Sequence, residues 1–361
     1  MDRADLSAAA KRLCRPGYGL LASDESSSTM GRRLEKAGLD GSSLETRRAY
    51  RELFYCADLG SCISGAIMFK EMLVENDSDS RPFTACLTSQ GVLPGVKVDE
   101  GLEVISTGAS REETHTKGLD RLEQACTEYR KQGVKFAKWR AALKVGHDLP
   151  SQTAIAVNAA ELAKYACICQ ESGLVPIVEP EILIDGDHDI EASAAAAELV
   201  LTACFEALHK EGAYLQGLLL KPQMIIPGSD CTGPKPNGWA IAEYTLRVMR
   251  KCVPVEVPGI MFLSGGQTEV EATANLDAIN RLAREQGGAP WALSFSYGRA
   301  LQASVLEIWS KDQSRVAQCK QMAAALAAAN GSASQGEWNG THPSLLDSSQ
   351  SLRENFRGWN A

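Results

Sequence analysis

A lysine at the end of an apolar run is the residue of this sequence with the clearest chemical potential. Lys221 follows residues 217–220, which are typical of a buried strand, and Pro222 then removes a backbone donor and biases Lys221 toward extended backbone. Burial and nearby positive charge favour the neutral form of such an amine, which attacks a carbonyl to form an imine. The alternative is a lysine that extends its ammonium into solvent from a strand end.

Other charged residues follow apolar runs in the same way. Glu179 and Glu181 lie two positions apart, and so do Lys138 and Arg140, which places each pair on one face of a strand. Two carboxylates that close disfavour each other's ionisation, so one could serve as an acid while the other stays ionised beside Lys138 and Lys221. A purely structural ion-pair network is the alternative. The convergence of five such strand ends favours catalysis.

Glycines and hydroxyl residues after the last two apolar runs predict an anion site. Ser264 and Gly265 precede a helix that Thr268 and Glu271 could begin with a capping box, and glycine permits close approach of a phosphate to backbone N–H groups. Gly298 and Arg299 open the next helix, and a guanidinium can bind phosphate with two hydrogen bonds. Either glycine motif alone would equally fit a simple turn.

Eight short apolar runs alternate with helical patterns, which is typical of repeated βα units. We expect helices over 154–172 and 190–210, the second ended by Gly212. The length alone allows two domains, but no break in composition occurs before residue 330. The sequence therefore predicts a single (β/α)8 TIM barrel over 1–330, with a short N-terminal helical extension, and a mobile C-terminal arm over 331–361. The eight predicted strands are GLLAS (19–23), ISGAIMF (63–69), VLPGVKV (92–98), VKFAKW (134–139), LVPIVEP (174–180), GLLLK (217–221), GIMFLSG (259–265) and WALSFSY (291–297).

Composition excludes several classes of partner. The net charge is -8, without a run of basic residues, so we expect neither nucleic acid nor an anionic membrane as a partner. Eleven cysteines without a CxxC pair, and the lack of a signal peptide or membrane span, indicate a soluble intracellular protein. The five histidines lack metal-ligand spacing, and His188 in GDGDHD is expected in a surface turn. We therefore expect no metal and no cofactor.

These residues and their order make the sequence resemble the class I, Schiff-base fructose-bisphosphate aldolases of the plant and algal type. The resemblance covers residues 20 to about 305 in the family's order. It implies a (β/α)8 barrel, usually a homotetramer, that reversibly cleaves fructose 1,6-bisphosphate to dihydroxyacetone phosphate and glyceraldehyde 3-phosphate. The matching stretches are LLASDESSSTMGRRL, PGVKVDEGL, FAKWRAALK, VPIVEPEILIDGDHD, GLLLKPQMIIPG, GIMFLSGGQTEVEA and LSFSYGRALQAS.

The resemblance also assigns roles to individual residues. Lys221 is similar to the Schiff-base lysine and Glu179 to the acid/base that dehydrates the carbinolamine. Asp24 is similar to the aspartate that takes the C4 hydroxyl proton, Lys138 to a lysine that assists at the reacting centre, and Glu181 to a residue supporting this network. The remaining positions are similar to phosphate-binding residues: Ser264, Gly265, Gly298 and Arg299 at the C1-phosphate, Ser26, Lys97 and Arg140 toward the C6-phosphate, and Thr29 and Arg33 as further contacts.

The resemblance leaves several questions open. The family usually ends in a tyrosine that relays a proton, whereas residues 356–361 read FRGWNA, so we expect that removing 351–361 slows cleavage less than about tenfold. A cytoplasmic enzyme is expected, with a processed form in the plastid stroma as the alternative. Activity on sedoheptulose 1,7-bisphosphate is compatible with the same residues. Another Schiff-base aldolase or transaldolase, and a non-catalytic scaffold, are the alternative functions.

Overall fold

The computed structural model describes residues 2–106, 113–346 and 351–353. Eight parallel strands close into a barrel in the order β1-β10-β9-β8-β7-β6-β3-β2. This confirms the predicted (β/α)8 fold. The barrel strands are β1 (Gly19–Ser23), β2 (Ile63–Met68), β3 (Leu93–Lys97), β6 (Phe136–Leu143), β7 (Val175–Ile182), β8 (Leu219–Leu220), β9 (Gly259–Phe262) and β10 (Ala292–Tyr297).

Helices surround the barrel, and one short hairpin extends from its mouth. The hairpin pairs β4 (Leu102–Val104) with β5 (Thr114–Thr116) in antiparallel register and was not predicted. Among the described residues, no helix is both long and apolar enough to span a bilayer. The helices are α1 (Arg3–Leu13), α2 (Ser27–Lys36), α3 (Leu44–Tyr55), α4 (Phe83–Ser89), α5 (Leu122–Lys131), α6 (Gln152–Glu171), α7 (Ile190–Glu211), α8 (Gly238–Cys252), α9 (Glu269–Glu285), α10 (Arg299–Lys311) and α11 (Val316–Ala333).

Two apolar layers hold the barrel together. The larger layer lies between the strands and the helices, while a smaller one fills the bottom of the barrel, where Leu6 and Leu13 of α1 pack with Phe136. The predicted N-terminal extension thus closes the end of the barrel opposite the polar residues. Glycine is required beside Phe136, because a Cβ on Gly95 would approach its ring to 2.2 Å.

Several predicted boundaries were wrong, and the differences affect the site. Strand β6 continues to Leu143 and β7 to Ile182, so Arg140 and Glu181 lie within strands and not after them. Strand β8 is shorter than predicted, because residues 215–217 form a 3-10 turn before it and Pro222 lacks the N–H needed to continue the ladder. Helices α6 and α7 match their predicted ranges within two residues, and Gly212 ends α7 with φ 78°.

The predicted surface turn at His188 is also wrong, because this residue is only 9% exposed. The loop after β8 covers it, and the Gly228 N–H donates to the His188 carbonyl at 2.8 Å. The two loops approach so closely that a Cβ on Gly228 would lie 2.3 Å from the Gly186 oxygen. Glycines at both contact points therefore bury a segment whose composition is typical of a surface.

The described part of the predicted arm, residues 331–346 and 351–353, lies against the barrel. Helix α11 runs to Ala333, so the expected boundary at residue 330 falls inside a helix. Farther on, the Ser344 hydroxyl donates to the buried Glu269 carboxylate at 2.6 Å. The mobility of the arm stays a prediction, and Phe356, Trp359 and Ala361 lie outside the described residues.

Candidate active site at the barrel mouth

The carboxyl ends of the barrel strands open into a cavity of about 370 Å³. This is the end of a (β/α)8 barrel at which enzymes of this fold hold their reacting groups. Every predicted site residue except Arg33 lines the cavity. The side chains that the sequence placed at separate strand ends are therefore brought together in space.

Lys221 lies at the point where β8 ends. Its N–H still donates to the Val178 carbonyl at 2.8 Å, so the backbone stays extended and directs the side chain into the cavity. The residue is 4% exposed, and its Nζ lies 3.0 Å from Glu179 Oε1. A buried amine with a carboxylate beside it has the arrangement that imine chemistry requires, because the carboxylate can exchange protons with nitrogen or oxygen at the reacting carbon.

Lys138 lies at the centre of a buried charge cluster. Its Nζ is 2.7 Å from Asp24 Oδ2 and 3.1 Å from Glu179 Oε2, the latter an ion-pair contact whose angles do not form a hydrogen bond. Burial opposes ionisation of Asp24, but the charges of Lys138 and Lys221 outweigh it and lower the Asp24 pKa. Burial likewise opposes the charge of Lys138, yet Asp24, Glu179 and Asp99 raise its pKa. Asp24 is therefore an anion and Lys138 a cation at neutral pH.

Glu179 and Glu181, which the sequence predicted to influence each other's ionisation, have different ionic partners in the structure. Glu181 pairs with the guanidinium of Arg140, whereas Glu179 faces the two lysines. Each carboxylate thus has its own cation. The pKa of Arg140 is raised, because the charge of Glu181 outweighs the opposing effect of burial.

The side of the mouth at β1 and β3 carries hydroxyl and ammonium groups. Ser26 caps α2, and its Oγ accepts a hydrogen bond from the Thr29 N–H at 3.3 Å. Lys97, at the end of β3, lies 2.7 Å from Asp99 Oδ1. Helix α2 therefore begins at the cavity wall, with its N-terminal partial positive charge beside the Lys97 ammonium.

Arg33 lies behind this wall. Its Nη1 is 3.0 Å from Glu25 Oε1 and 3.3 Å from Gln302 Oε1. The other Glu25 oxygen lies 3.0 Å from the buried Arg51. The structure thus places Arg33 in contact with the cavity lining through Glu25, and not in the lining itself.

The opposite side of the mouth, at β9 and β10, has the glycines expected of an anion site. Gly265 has φ 57°, a backbone conformation that residues with side chains rarely adopt. The predicted capping box of Thr268 and Glu271 is present at the start of α9. Helix α10 begins at Arg299, directly after Gly298. Gly265, the N-terminus of α10 and the guanidinium of Arg299 therefore lie at one edge of the cavity.

Residues 351–353 contact this edge. The Leu352 N–H donates to the Gly266 carbonyl at 3.1 Å, and Arg299 Nη1 donates to the Leu352 carbonyl at 2.5 Å. Arg353 is held 3.1 Å from Asp185 and 3.1 Å from Asp230. The Arg299 guanidinium therefore contacts this segment and also faces the cavity, where an anion could bind it.

Three polar residues of the cavity wall were not among the predicted site residues. Asp99 pairs with Lys97 and lies 3.9 Å from Lys138. Its position two residues after Lys97 is the sequence feature from which it could have been predicted. Glu25 follows Asp24 directly. Ser296 is 1% exposed, and its Oγ has no hydrogen-bond partner within the described part of the chain. The sequence feature that could have predicted it is the alternation of serines along β10, which places Ser294 and Ser296 on one face of the strand.

Comparisons with known proteins agree on one family. A family model described as fructose-bisphosphate aldolase class-I matches residues 5–357. Fructose-bisphosphate aldolase 6, cytosolic, of Arabidopsis thaliana is 47% identical over 338 residues, which cover 93% of this chain and 92% of that protein. The fructose-bisphosphate aldolase of Schistosoma mansoni is 45% identical over 347 residues, which cover 95% of this chain and 93% of that protein. The solved Plasmodium falciparum fructose-bisphosphate aldolase, in complex with TRAP and a small-molecule inhibitor, superposes with a TM-score of 0.89 at 43% identity and covers 93% of this chain and 95% of that one.

Proposed function

The chain belongs to the class I fructose-bisphosphate aldolase family, and from this we propose that the barrel mouth cleaves fructose 1,6-bisphosphate through an imine on Lys221. The chain is thus a carbon-carbon lyase that acts on phosphorylated sugars and yields dihydroxyacetone phosphate and glyceraldehyde 3-phosphate reversibly. The observation that supports the proposal best is the contact of 3.0 Å between the Lys221 amine and Glu179 inside the cavity.

The first half of the reaction forms the imine. The neutral amine of Lys221 attacks the C2 carbonyl and gives a carbinolamine, whose hydroxyl must leave as water. Glu179 lies against both lysines and is the acid that we propose for this proton transfer. The protonated imine that results accepts the electron pair released when the C3–C4 bond breaks.

The second half breaks that bond and releases the products. Asp24 is anionic chiefly because the charge of Lys138 lowers its pKa, so it can accept the C4 hydroxyl proton as the aldehyde forms. Lys138 contacts Asp24 at 2.7 Å and stays charged, which fixes the carboxylate and stabilises negative charge on the leaving oxygen. The enamine is then protonated at C3, and water hydrolyses the imine.

Charge complementarity suggests where the two phosphates bind. We assign the C1-phosphate to the edge formed by Ser264, Gly265, Gly298 and Arg299, where α10 begins. The C6-phosphate is assigned to the opposite side, with Ser26, Thr29, Lys97 and Arg140. For Arg33 we propose a positioning role, because its guanidinium holds Glu25 at the wall.

The alternatives differ in how many phosphates they need. A transaldolase or a deoxyribose-phosphate aldolase binds one phosphate, whereas cationic groups occupy two opposite sides of this cavity. A scaffold without activity has no use for Asp24, Lys138, Glu179 and Lys221 in mutual contact. Competition between fructose 1,6-bisphosphate and single-phosphate sugars discriminates between these classes.

The imine is tested by borohydride reduction in the presence of dihydroxyacetone phosphate, followed by mapping of the modified peptide. We expect one adduct, on the peptide that contains Lys221, and none in Lys221→Met. A matched control is Lys97→Met, which removes another cavity lysine and should leave trapping in place. An adduct on another lysine, or none in the wild type, would refute the mechanism.

The relatives support a location for the chain, and the assembly is our proposal from the family resemblance. The relatives include cytosolic aldolases of Arabidopsis thaliana, and the chain is accordingly cytoplasmic. We propose that it assembles as a homotetramer, as the family usually does. Sedimentation velocity would test this, and a single species at the mass of one chain would contradict it.

A further inference from the structure

Two cysteines and an aspartate form a cluster outside the active site. Cys56 follows α3, Cys86 lies in α4, and Asp77 lies in the loop that precedes α4. The ligand atoms of all three lie within 4.8 Å of one another. None of the three lines the barrel-mouth cavity. The reaction described above leaves this cluster without a role.

The cluster has the spacing of a tetrahedral zinc site. Zinc binds sulfur at about 2.3 Å and carboxylate oxygen at about 2.0 Å, so tetrahedral ligands place sulfur and oxygen about 3.5 Å apart. Asp77 Oδ2 lies 3.3 Å from Cys86 Sγ and 3.8 Å from Cys56 Sγ. We propose that Cys56, Asp77 and Cys86 bind a soft divalent cation, with Zn²⁺ as the natural ion and water as the fourth ligand.

The surroundings orient the carboxylate for this role. Asp77 Oδ1 accepts hydrogen bonds from the backbone N–H groups of Asp79 at 3.0 Å and Arg81 at 2.8 Å. These bonds fix the carboxylate plane and direct Oδ2 toward both sulfurs, in the way that outer hydrogen bonds orient metal ligands. The loop itself is held to α3, because Glu52 accepts a hydrogen bond from the Ser78 N–H at 3.1 Å.

A cation already balances Asp77, namely the guanidinium of Arg81. Its Nη2 lies 2.7 Å from Asp77 Oδ2, and the Arg81 side chain is 57% exposed. The guanidinium can therefore move into solvent when a metal takes its position, which also opens a path to the buried ligands. Arg81 is thus a competitor of the metal.

Proton release accompanies binding. Zn²⁺ binds thiolates, so the two thiols give up their protons when the ion binds. The ion would connect α3, the loop and α4 and so stabilise this side of the barrel without entering the reaction.

Titration of the full chain with Cd²⁺, under reducing conditions, tests the proposal. Cadmium-thiolate bonds absorb in the ultraviolet. In the wild type we expect this absorbance to rise in a phase that saturates at one equivalent of Cd²⁺. Cys56→Ser combined with Cys86→Ser should abolish that phase. The matched control is Cys126→Ser combined with Cys169→Ser, a second buried pair whose sulfurs lie 3.7 Å apart and which, among the described residues, has no carboxylate placed to share a metal with it. It should retain the phase.

Two further variants separate a metal site from a hydrogen-bonded cluster. Asp77→Asn should weaken Cd²⁺ binding about 10- to 100-fold, and Arg81→Gln should strengthen it because the competing charge is removed. Added Zn²⁺ should raise the melting temperature of the wild type and of Arg81→Gln, and it should leave kcat unchanged. The proposal is overturned if the thiol double variant keeps the phase, if Arg81→Gln weakens binding, or if the wild type binds no stoichiometric Cd²⁺. Failure of the imine test would leave these measurements unaffected.

Discussion

Replacing Glu179 by glutamine is the sharpest test of the site. The substitution keeps the shape of the side chain and removes only its charge and its capacity to carry a proton. Glu179 is 3% exposed, and its two carboxylate oxygens contact Lys221 and Lys138. The substitution thus addresses proton transfer at the imine directly.

The size of the effect follows from these contacts. Loss of a positioned acid/base lowers kcat about 10²- to 10³-fold, or roughly 2.7 to 4 kcal/mol in the activation barrier. The Michaelis constant should not rise, because the cavity becomes more positive and the substrate carries two phosphates. Two buried lysines also lose a partner, so the melting temperature should fall.

Glu181→Gln is the matched control, on the same strand and the same wall. Its carboxylate pairs with Arg140, so its loss should misplace a phosphate-binding cation and act on the Michaelis constant while kcat stays within about tenfold. The assay is steady-state cleavage of fructose 1,6-bisphosphate together with single-turnover trapping of the imine. If Glu179→Gln keeps kcat within about threefold, or if both variants lose kcat equally, the proposed role of Glu179 is wrong.

Three further predictions concern phosphate binding, metal independence and pH. Arg299→Ala should weaken binding of fructose 1,6-bisphosphate by about 2 to 4 kcal/mol and of fructose 1-phosphate by as much, and unchanged Michaelis constants for both would remove Arg299 from the site. EDTA should leave kcat unchanged, because the imine nitrogen accepts the electrons that a metal would otherwise stabilise; strong inhibition reversed by zinc would contradict this. Burial lowers the pKa of His342 from 6.5 to about 4, so protonation is disfavoured in the folded chain. The contribution of neutral His342 to stability is complete above pH 6.5 and is lost as the pH falls from 6.5 toward 4. His342→Gln should therefore flatten the dependence of the melting temperature on pH across this range. An unchanged slope would refute the assignment.

The features that sequence predicted well were those carried by short-range patterns. Strands buried on both faces give continuous apolar runs, so all eight barrel strands were found. The spacing of Lys138 from Arg140 and of Glu179 from Glu181 placed each pair on one wall, because strand side chains repeat every two residues. A single charged strand end can be purely structural, and these residues could be recognised because several charged strand ends converge on one face of the barrel.

The features that sequence did not predict depend on contacts between distant segments. The ionic partner of Glu179 is Lys221, which follows the neighbouring strand β8, about 40 residues farther along the chain. Arg33 was expected in the cavity, but Glu25 and Gln302, from β1's loop and α10, hold it outside. His188 is buried by a loop with which it shares no sequence pattern. The cysteine and aspartate cluster has no sequence signature, because its three residues come from the end of α3, a loop and α4.

The interleaved charges at the barrel mouth also limit how this active site could be changed by mutation. Removing one member of a buried ion pair costs about 3 to 5 kcal/mol, and a domain has only about 5 to 15 kcal/mol of stability in total. A single substitution toward a new substrate therefore risks unfolding the barrel before it alters specificity, whereas exchanging two partners together keeps the balance. Neighbouring ionic positions should accordingly be varied as linked pairs in a library, with non-additive effects expected within each pair. The residues to be grouped in this way are Lys97, Lys138, Lys221, Asp24, Asp99 and Glu179.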